Sequence, residues 1–339
     1  MIIGYVKKQV LPLNLWDKIK YYLGIIKITL FEQGIVFEIP IKENGKNSIK
    51  KEEKVCIKII QKLYKLKINT IIFSKSLSIG EKSFRKLILN KLEENKREIQ
   101  EIQGRKLIEY MQYEIFEYIL KMQEKNIHQE DIYFLIKKDN RLDLEFLKEF
   151  IENCKTVNIV TNDLERYKKI QENLYEKENI LISVSNNKMK ALKKAKYVFN
   201  INMNEKEIEK FKINRNAIVL NVRENFNYVE NGFYGININK IKVNIPDEYI
   251  ETFEKISNDE TDKFDEVKLY EGVLMQKLEI EKNKSLVNVE NNINNMYFNK
   301  VRNILKKDGI KILKLIGKNG EIDADDFARI KRLYETTKI

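Results

Sequence analysis

The sequence predicts a two-domain α/β protein, a small basic N-terminal α/β domain followed by a domain built on a parallel sheet. Three observations predict it. From Asp131 to Val222 short apolar runs alternate with amphipathic helical patterns. Before them stands a mixed strand–helix pattern with a hairpin signal. The length of 339 residues, 43% of them hydrophobic, allows two cores. The expected limits are a small basic domain over 1–103 and a connecting helix over 104–127. The parallel-sheet domain covers 128–230, and over 231–339 helices and a hairpin pack on the domains.

The elements follow in order. Ile2–Val6 reads as a short strand. Over Leu15–Leu23, Trp16, Ile19, Tyr22 and Leu23 fall on one side at helical spacing. KITLFEQGIVFEIPI (Lys27–Ile41) alternates about Gln33-Gly34 and predicts a β-hairpin. Lys50–Leu66 is an amphipathic helix carrying Val55, Ile59, Ile60 and Leu63; Thr70–Phe73 is a buried strand and Glu81–Leu92 a helix. Gly104–Gln123 reads as one long helix with Leu107, Ile108, Met111, Ile115, Ile119 and Leu120 on its apolar face. Its Tyr110, Tyr113, Phe116 and Tyr118 are packing residues.

Strands are then expected over 132–136, 157–161, 180–184, 197–201 and 217–222. Helices are expected over 142–153, 164–176, 187–194 and 205–211. No glycine occurs between Arg105 and Asn231. The turns carry Asp139-Asn140, Asn162-Asp163, Asn186-Asn187 and Asn214–Asn216 instead, types that tolerate left-handed backbone. Further on, Phe264–Leu278 is amphipathic and Asn288–Asn295 reads as a polar loop. A helix near Asn299–Lys306, a hairpin at Asn319-Gly320 and a last helix from Ala324 complete the chain.

Charge is uneven. Residues 1–100 hold 21 Lys/Arg against 10 Asp/Glu, and the remainder 42 against 41, so nearly all of the +12 net charge belongs to the first third. A basic domain meets nucleic acid, anionic lipid or an acidic protein, or is a solvated lysine-rich face. Cys56 and Cys154 sit in apolar helical patterns, and His128 is the single histidine, which excludes a Cys/His zinc site by count. No apolar run reaches the roughly 18 residues of a membrane span. The expected location is cytoplasmic.

VTNDLER (Val160–Arg166) resembles the N-R-T-x-x-R region of shikimate dehydrogenase-like Rossmann domains. KAKYVFNIN (Lys194–Asn202) is similar to that family's A-D-I-V-I-N-A-T, and AIVLNV (Ala217–Val222) to its last parallel strand. The order of small α/β domain, long helix, Rossmann half and late helix matches it too, as it matches the methylene-tetrahydrofolate dehydrogenase relatives. The similarity covers about residues 128–225 and implies a Rossmann-like parallel sheet with an NAD or NADP site.

The departures are specific. In place of the family's glycine loop stands IKKDNRLDLEF (Ile136–Phe146), where Asp139, Asn140 and Asp143 occupy helix N-cap positions. A carboxylate there uses the positive helix end that a phosphate needs. Lys137, Lys138 and Arg141 still offer charge. In place of the arginine for an NADP 2′-phosphate stands Asp163, which either hydrogen-bonds an NAD ribose or closes the turn before Leu164. The resemblance thus implies cofactor contacts at Lys137, Asp139, Asn140, Arg141, Asn162 and Asp163. The family's catalytic Lys/Asp pair and N-T-D-x-x-G motif have no counterpart; Glu114 and Glu117 read as a solvated helix face. The expectation is no cofactor, with weak NAD or NADP binding as the alternative.

Three smaller features complete the candidates. Ser74–Ser83 follows a strand and precedes a helix, so Lys75, Ser76, Ser78, Gly80 and Lys82 either cradle a phosphate or form an ordinary capped loop. Asp323 caps the last helix; with Ala328 and Tyr334 at the required Gly and Glu positions, an EF-hand is excluded. His128 is a loop residue before the first strand of the parallel sheet. Three functions follow: a non-catalytic binding or scaffold protein, a divergent NAD(P)-dependent oxidoreductase, or a basic nucleic-acid binder. The last ranks lowest, because the aromatic residues of the first third fit cores better than an exposed stacking platform. The sequence names no partner and leaves a protein partner or a second copy open; no membrane contact is expected.

Overall fold

A computed structural model describes residues 1–9, 14–40, 49–78, 84–95, 98–137, 144–223, 228, 232–257, 262–284 and 293–336. The chain forms two units, Met1–Gly104 with Ile245–Asn288, and Arg105–Asn244 with Val289–Ile339.

The first unit begins β1 (Ile3–Lys8), α1 (Leu15–Tyr22), β2 (Lys27–Phe31), β3 (Gly34–Ile39), α2 (Ile49–Lys65), β4 (Thr70–Phe73), α3 (Phe84–Glu94) and β5 (Gln100–Glu101). Its sheet is ordered β2-β3-β1-β4-β5. β1 lies parallel to β3 and β4, and β4 to β5, while β2 closes the edge antiparallel to β3. Strand alternation sends Val6 to one face, where Val55, Ile59 and Leu63 of α2 meet Ile88 and Leu92 of α3. The hairpin differs from expectation by one residue. Phe31 pairs with Gly34, so Glu32-Gln33 is the turn and Gly34 opens β3. A Cβ on Gly34 would lie 2.3 Å from the carbonyl oxygen of Ile3, so that position requires glycine.

The second unit opens with α4 (Arg105–Tyr110) and α5 (Gln112–Met122). The single long helix expected there is broken at Met111, at φ −104° and ψ 18°. Then come β6 (Asp131–Ile136), α6 (Leu144–Asn153), β7 (Thr156–Thr161), α7 (Leu164–Glu178), β8 (Ser183–Ser185), β9 (Tyr197–Asn200), α8 (Glu205–Ile208), β10 (Ile218–Asn221), β11 (Ile236–Ile238) and β12 (Lys240–Val243). Six strands form a wholly parallel sheet in the order β11-β10-β9-β6-β7-β8. In sequence rank that is 6-5-4-1-2-3, the doubly wound order of a Rossmann-like sheet. On one face Phe116 of α5 meets Tyr197 at 5.1 Å and Phe199 at 5.9 Å, and Phe150 of α6 meets Phe134 at 5.1 Å, mostly edge to face. On the other, Leu192, Ile208 and Phe211 cover Leu135, Val198 and Val219.

Two expectations here are corrected. The helix over 187–194 is a run of turns: the Asn187 side chain accepts from the backbone N–H of Met189 (3.1 Å) and Lys190 (3.0 Å) as an N-cap does, but the bonds that follow, Lys193 N–H to Lys190 O (3.3 Å) and Ala195 N–H to Leu192 O (3.2 Å), are of the tighter three-residue kind. The described Asn turns at 162–163, 186–187 and 214–216 do not use left-handed backbone either, and Asp139-Asn140 lies outside the described residues. Among the described non-glycine residues only Lys67, Glu124 and Asn179 have positive φ. Asn214 works as Asn187 does, its side chain accepting from Asn216 N–H at 3.0 Å. At Asn187 and Asn214 the turn closes through a side-chain oxygen in place of glycine, while Asn179 ends α7 in the left-handed conformation at φ 53°.

The chain returns to the first unit with α9 (Asp247–Ser257) and α10 (Glu266–Lys284). They cover the second face of that sheet. Phe264 meets Tyr5 edge-on at 5.9 Å, and Gly272 lets α10 approach so closely that a Cβ would stand 2.9 Å from Ile3 and 3.2 Å from Ile72. In the second unit follow α11 (Ile293–Lys307), β13 (Ile312–Gly317), β14 (Gly320–Ile322) and α12 (Ala324–Thr336). β13 pairs antiparallel with β12 and with β14, and Lys318-Asn319 joins β13 to β14. Asp323 Oδ1 accepts from Asp326 N–H at 2.9 Å and caps α12 as expected. No helix among the described residues is long and apolar enough to cross a membrane.

Candidate functional site

In an open parallel sheet, ligands bind beyond the carboxyl ends of the strands, where neighbouring strands lead off in opposite directions. In the second unit that place lies between β6 and β9. Lys137 is the first residue beyond β6, and its backbone N–H donates to Asn202 Oδ1 at 2.8 Å. Its ammonium pairs with Glu207 Oε1 at 3.0 Å. Glu207 is itself fixed by a capping box: Asn204 Oδ1 accepts from Glu207 N–H (3.0 Å) and Glu207 Oε2 from Asn204 N–H (3.0 Å). These bonds, the backbone one first and the Lys137 pair after it, hold the Glu207 carboxyl below its ordinary range. Beside them runs a buried amide ladder. Asn200 Nδ2 donates to Asn221 Oδ1 (3.1 Å), and Asn221 Nδ2 to Asn239 Oδ1 (3.0 Å). Arg105 Nη1 donates to the backbone oxygens of Asn221 (3.2 Å) and Asn239 (2.6 Å).

Of the residues the resemblance implied, Lys137, Asn162 and Asp163 are described; Asp139, Asn140 and Arg141, like Lys138 and Asp143, lie outside the described residues. Asn162 is exposed beyond β7. Asp163 occupies the N-cap position of α7, but its side chain makes no cap hydrogen bond. Its own N–H is held by Thr161 Oγ1 at 3.1 Å. The capping role expected of the Asp163 carboxylate is therefore corrected: Thr161 shapes the turn.

The first unit has its own reversal, between β1 and β4, and its loop begins at Ser74. Three donors converge there on Asp262, which is buried. Its Oδ2 accepts from Lys8 N–H at 2.8 Å and from Ser74 Oγ at 2.9 Å, and its Oδ1 from Ser76 N–H at 3.2 Å. Of the loop expected to cradle a phosphate, Ser74 and Ser76 donate to the chain's own Asp262 carboxylate. Lys75 is exposed, with its N–H on the Lys263 oxygen at 3.1 Å. Ser78 ends a 3-10 turn, and Gly80 and Lys82 lie outside the described residues. Asp262 gave no sequence signal, lying 188 residues from Ser74. Asn202 and Glu207 were equally unmarked, although Asn202 ends the KAKYVFNIN run.

Away from the strand ends, Glu114 is not on a solvated face. Arg302 Nη2 donates to Glu114 Oε1 at 2.7 Å, and Arg302 Nη1 to Glu149 Oε2. Burial first, and then the other carboxylates, push Glu117 and Glu149 above the ordinary range, while Arg302 pulls both down. Glu114, Glu117, Tyr118 and Lys121 line an open cavity of about 670 Å³ with Ile310 and Ile312. It sits beside α5, not at the carboxyl edge of the sheet. Burial raises the thiols of Cys56 and Cys154 to about 12, so neither is a nucleophile at neutral pH. His128 lies in a short turn before β6, its N–H on Asn126 Oδ1 at 3.0 Å.

No protein-family model matches the chain, and no curated protein does. Among solved structures, a protein described as an aspartate carbamoyltransferase from Trypanosoma cruzi aligns over 65% of this chain and 69% of its own, at 11% identity and a TM-score of 0.21. A UDP-forming α,α-trehalose-phosphate synthase from Burkholderia vietnamiensis aligns over 66% and 85%, at 7% identity and a TM-score of 0.16. Likeness at that level assigns neither family nor site. The chain is a two-domain α/β protein with a Rossmann-like parallel sheet.

Proposed function

We propose that the second unit is a degenerate dinucleotide-binding module of the shikimate dehydrogenase-like kind, used as a non-catalytic binding or scaffold domain. One observation carries this reading. The first N–H beyond β6, which in such a module faces the pyrophosphate, is spent on Asn202 Oδ1, and the adjacent ammonium on Glu207. A pyrophosphate arriving there would have to displace both bonds and would meet the carboxylate of Glu207. Asp262 does the same at the strand reversal of the first unit. The chain's own side chains thus satisfy donors that a phosphate ligand would need.

The test is calorimetric titration of the full chain with NAD, NADH, NADP and NADPH. The expected result is no heat of binding at micromolar cofactor. A dissociation constant near 1 μM, about −8 kcal/mol, would overturn the reading.

A second reading, a divergent NAD(P)-dependent oxidoreductase, is favoured by Asp163. Its carboxylate stands beyond β7 and makes no cap bond, where an acidic residue reads a ribose hydroxyl. In that case NAD binds in the same titration, and Asp163→Ala weakens it about tenfold or more, the effect of losing roughly 1.5 kcal/mol of charged hydrogen bonding.

A further inference from the structure

Helix α1 presents its apolar side to water. Leu15, Trp16 and Leu23 are 72%, 75% and 65% exposed, and Ile19, Tyr22 and the following Ile25 are exposed with them. At 100° per residue, positions 15, 16, 19, 22 and 23 cover an arc of about 120°. Lys18 falls at one edge of that arc and Lys20 at the other. The helix end is well formed: Leu23 N–H donates to Ile19 O (2.9 Å), Ile25 N–H to Lys20 O (3.0 Å), and Gly24 takes φ +70° between them. Lys58 Nζ caps the Gly24 oxygen at 3.3 Å and adds a third cation at that end. This also corrects the expectation that the aromatic residues of the first third are core, since Trp16 and Tyr22 are exposed.

An exposed apolar stripe of this kind needs an occupant. We propose that α1 is an interfacial helix that docks this domain onto an anionic lipid surface. Charge and side-chain type together select that occupant. A stripe of leucine, isoleucine, tryptophan and tyrosine flanked on both sides by lysine is the pattern of a helix lying in a membrane interface. There the apolar side enters the acyl boundary and the ammonium groups reach the headgroups. The whole unit carries a smaller surplus, 27 basic against 23 acidic residues over 1–104 and 245–288, so the attraction to anionic lipid rests on the lysines beside the stripe. A second copy of the chain would bring two faces of the same charge together. Nucleic acid matches the charge, but it offers nothing to cover Leu15, Ile19 and Leu23.

Trp16 is the chain's one tryptophan, so its fluorescence reports on this face directly. The full chain is mixed with vesicles of phosphatidylcholine alone and of an equal mixture of phosphatidylcholine and phosphatidylserine. With the mixed vesicles the emission shifts to the blue, quenching by acrylamide falls, and the protein sediments with the lipid; added salt weakens this binding. Leu15→Ser/Leu23→Ser and Lys18→Glu/Lys20→Glu each reduce the bound fraction at least fivefold. The thermal melting of the Leu15→Ser/Leu23→Ser variant is unchanged, because both altered side chains are exposed. No blue shift with anionic vesicles overturns the proposal, as does equal binding to both vesicle types. It is also overturned if the Leu15→Ser/Leu23→Ser variant loses self-association in light scattering, or single-stranded DNA binding, while its vesicle binding stays at the level of the unaltered chain.

Discussion

Arg302 holds two carboxylates that would otherwise repel each other. Its side chain and that of Glu149 are 16% and 22% exposed, so water screens the pair poorly. Burial lowers the guanidinium's affinity for its proton, and the bonds to Glu149 and Glu114 more than restore it. In Arg302→Met the carboxylates of Glu114 and Glu149 lose their shared counter-charge. The expected loss at neutral pH is about 2 kcal/mol, below that of a fully buried pair because these groups are partly solvated. The sign with pH follows from the direction of the shifts. Burial already raises the folded-state pKa of Glu149 and Glu117 above the ordinary 4.5, and removing Arg302 raises it further. A carboxyl that binds its proton more tightly when folded favours folding at low pH and opposes it once ionised. The stability difference between Arg302→Met and the unaltered chain should therefore shrink as pH falls toward 4.5. Urea melts from pH 7 down to pH 4.5 check this; a gap that widens with acid would refute the arrangement.

At the scale of elements, Phe116 is the ring through which α5 meets the aromatic side chains of the parallel sheet. Phe116 is fully buried and touches Tyr197, Phe199 and Phe150 at centroid distances of 5.1, 5.9 and 6.1 Å. Phe116→Ala should destabilise the second unit by about 3–5 kcal/mol, the range for deleting a buried aromatic ring. Exposed Tyr175 on α7 is the control, and Tyr175→Ala should change the urea midpoint little. Equal losses for the two would refute this packing. Phe116 was legible as a packing residue because α5 carries a 3.6-residue apolar period, and the strands were legible because their apolar runs are short and bounded by Asn and Asp. What was not legible has a common cause. The turn run at 187–194 has helical apolar spacing and a helix-type cap at Asn187, and spacing does not distinguish successive three-residue turns from a helix. Asp262, Asn202 and Arg302 act through partners 65 or more residues away, so no local pattern marks them. The exposed face of α1 was read correctly as a stripe. Its spacing alone does not say whether the stripe turns to the core or to water.

At the scale of the whole molecule, the first unit is not a continuous piece of chain. Its sheet and one helical layer come from Met1–Gly104, and its second layer from Ile245–Asn288. The division runs through the core. Ile3, Tyr5 and Ile72 are buried, and what stands against them includes Phe264 and the glycine-relieved contact at Gly272. Asp262, from the same later stretch, also satisfies the N–H groups of Lys8 and Ser76 and the hydroxyl of Ser74. A fragment of residues 1–104 would therefore leave an apolar sheet face and three polar donors to water. It is expected to lack a cooperative urea transition and to bind the hydrophobic dye ANS, as loosely packed states do. Co-expression with a fragment of residues 245–288 should restore a single transition and abolish the dye binding, because α9 and α10 cover that face. Adding Asp262→Ala to the second fragment should weaken the restored assembly by roughly 1–3 kcal/mol, since the donors stay buried without an acceptor. The outcome that sinks this account is a 1–104 fragment that unfolds cooperatively alone, with a midpoint unchanged by its partner.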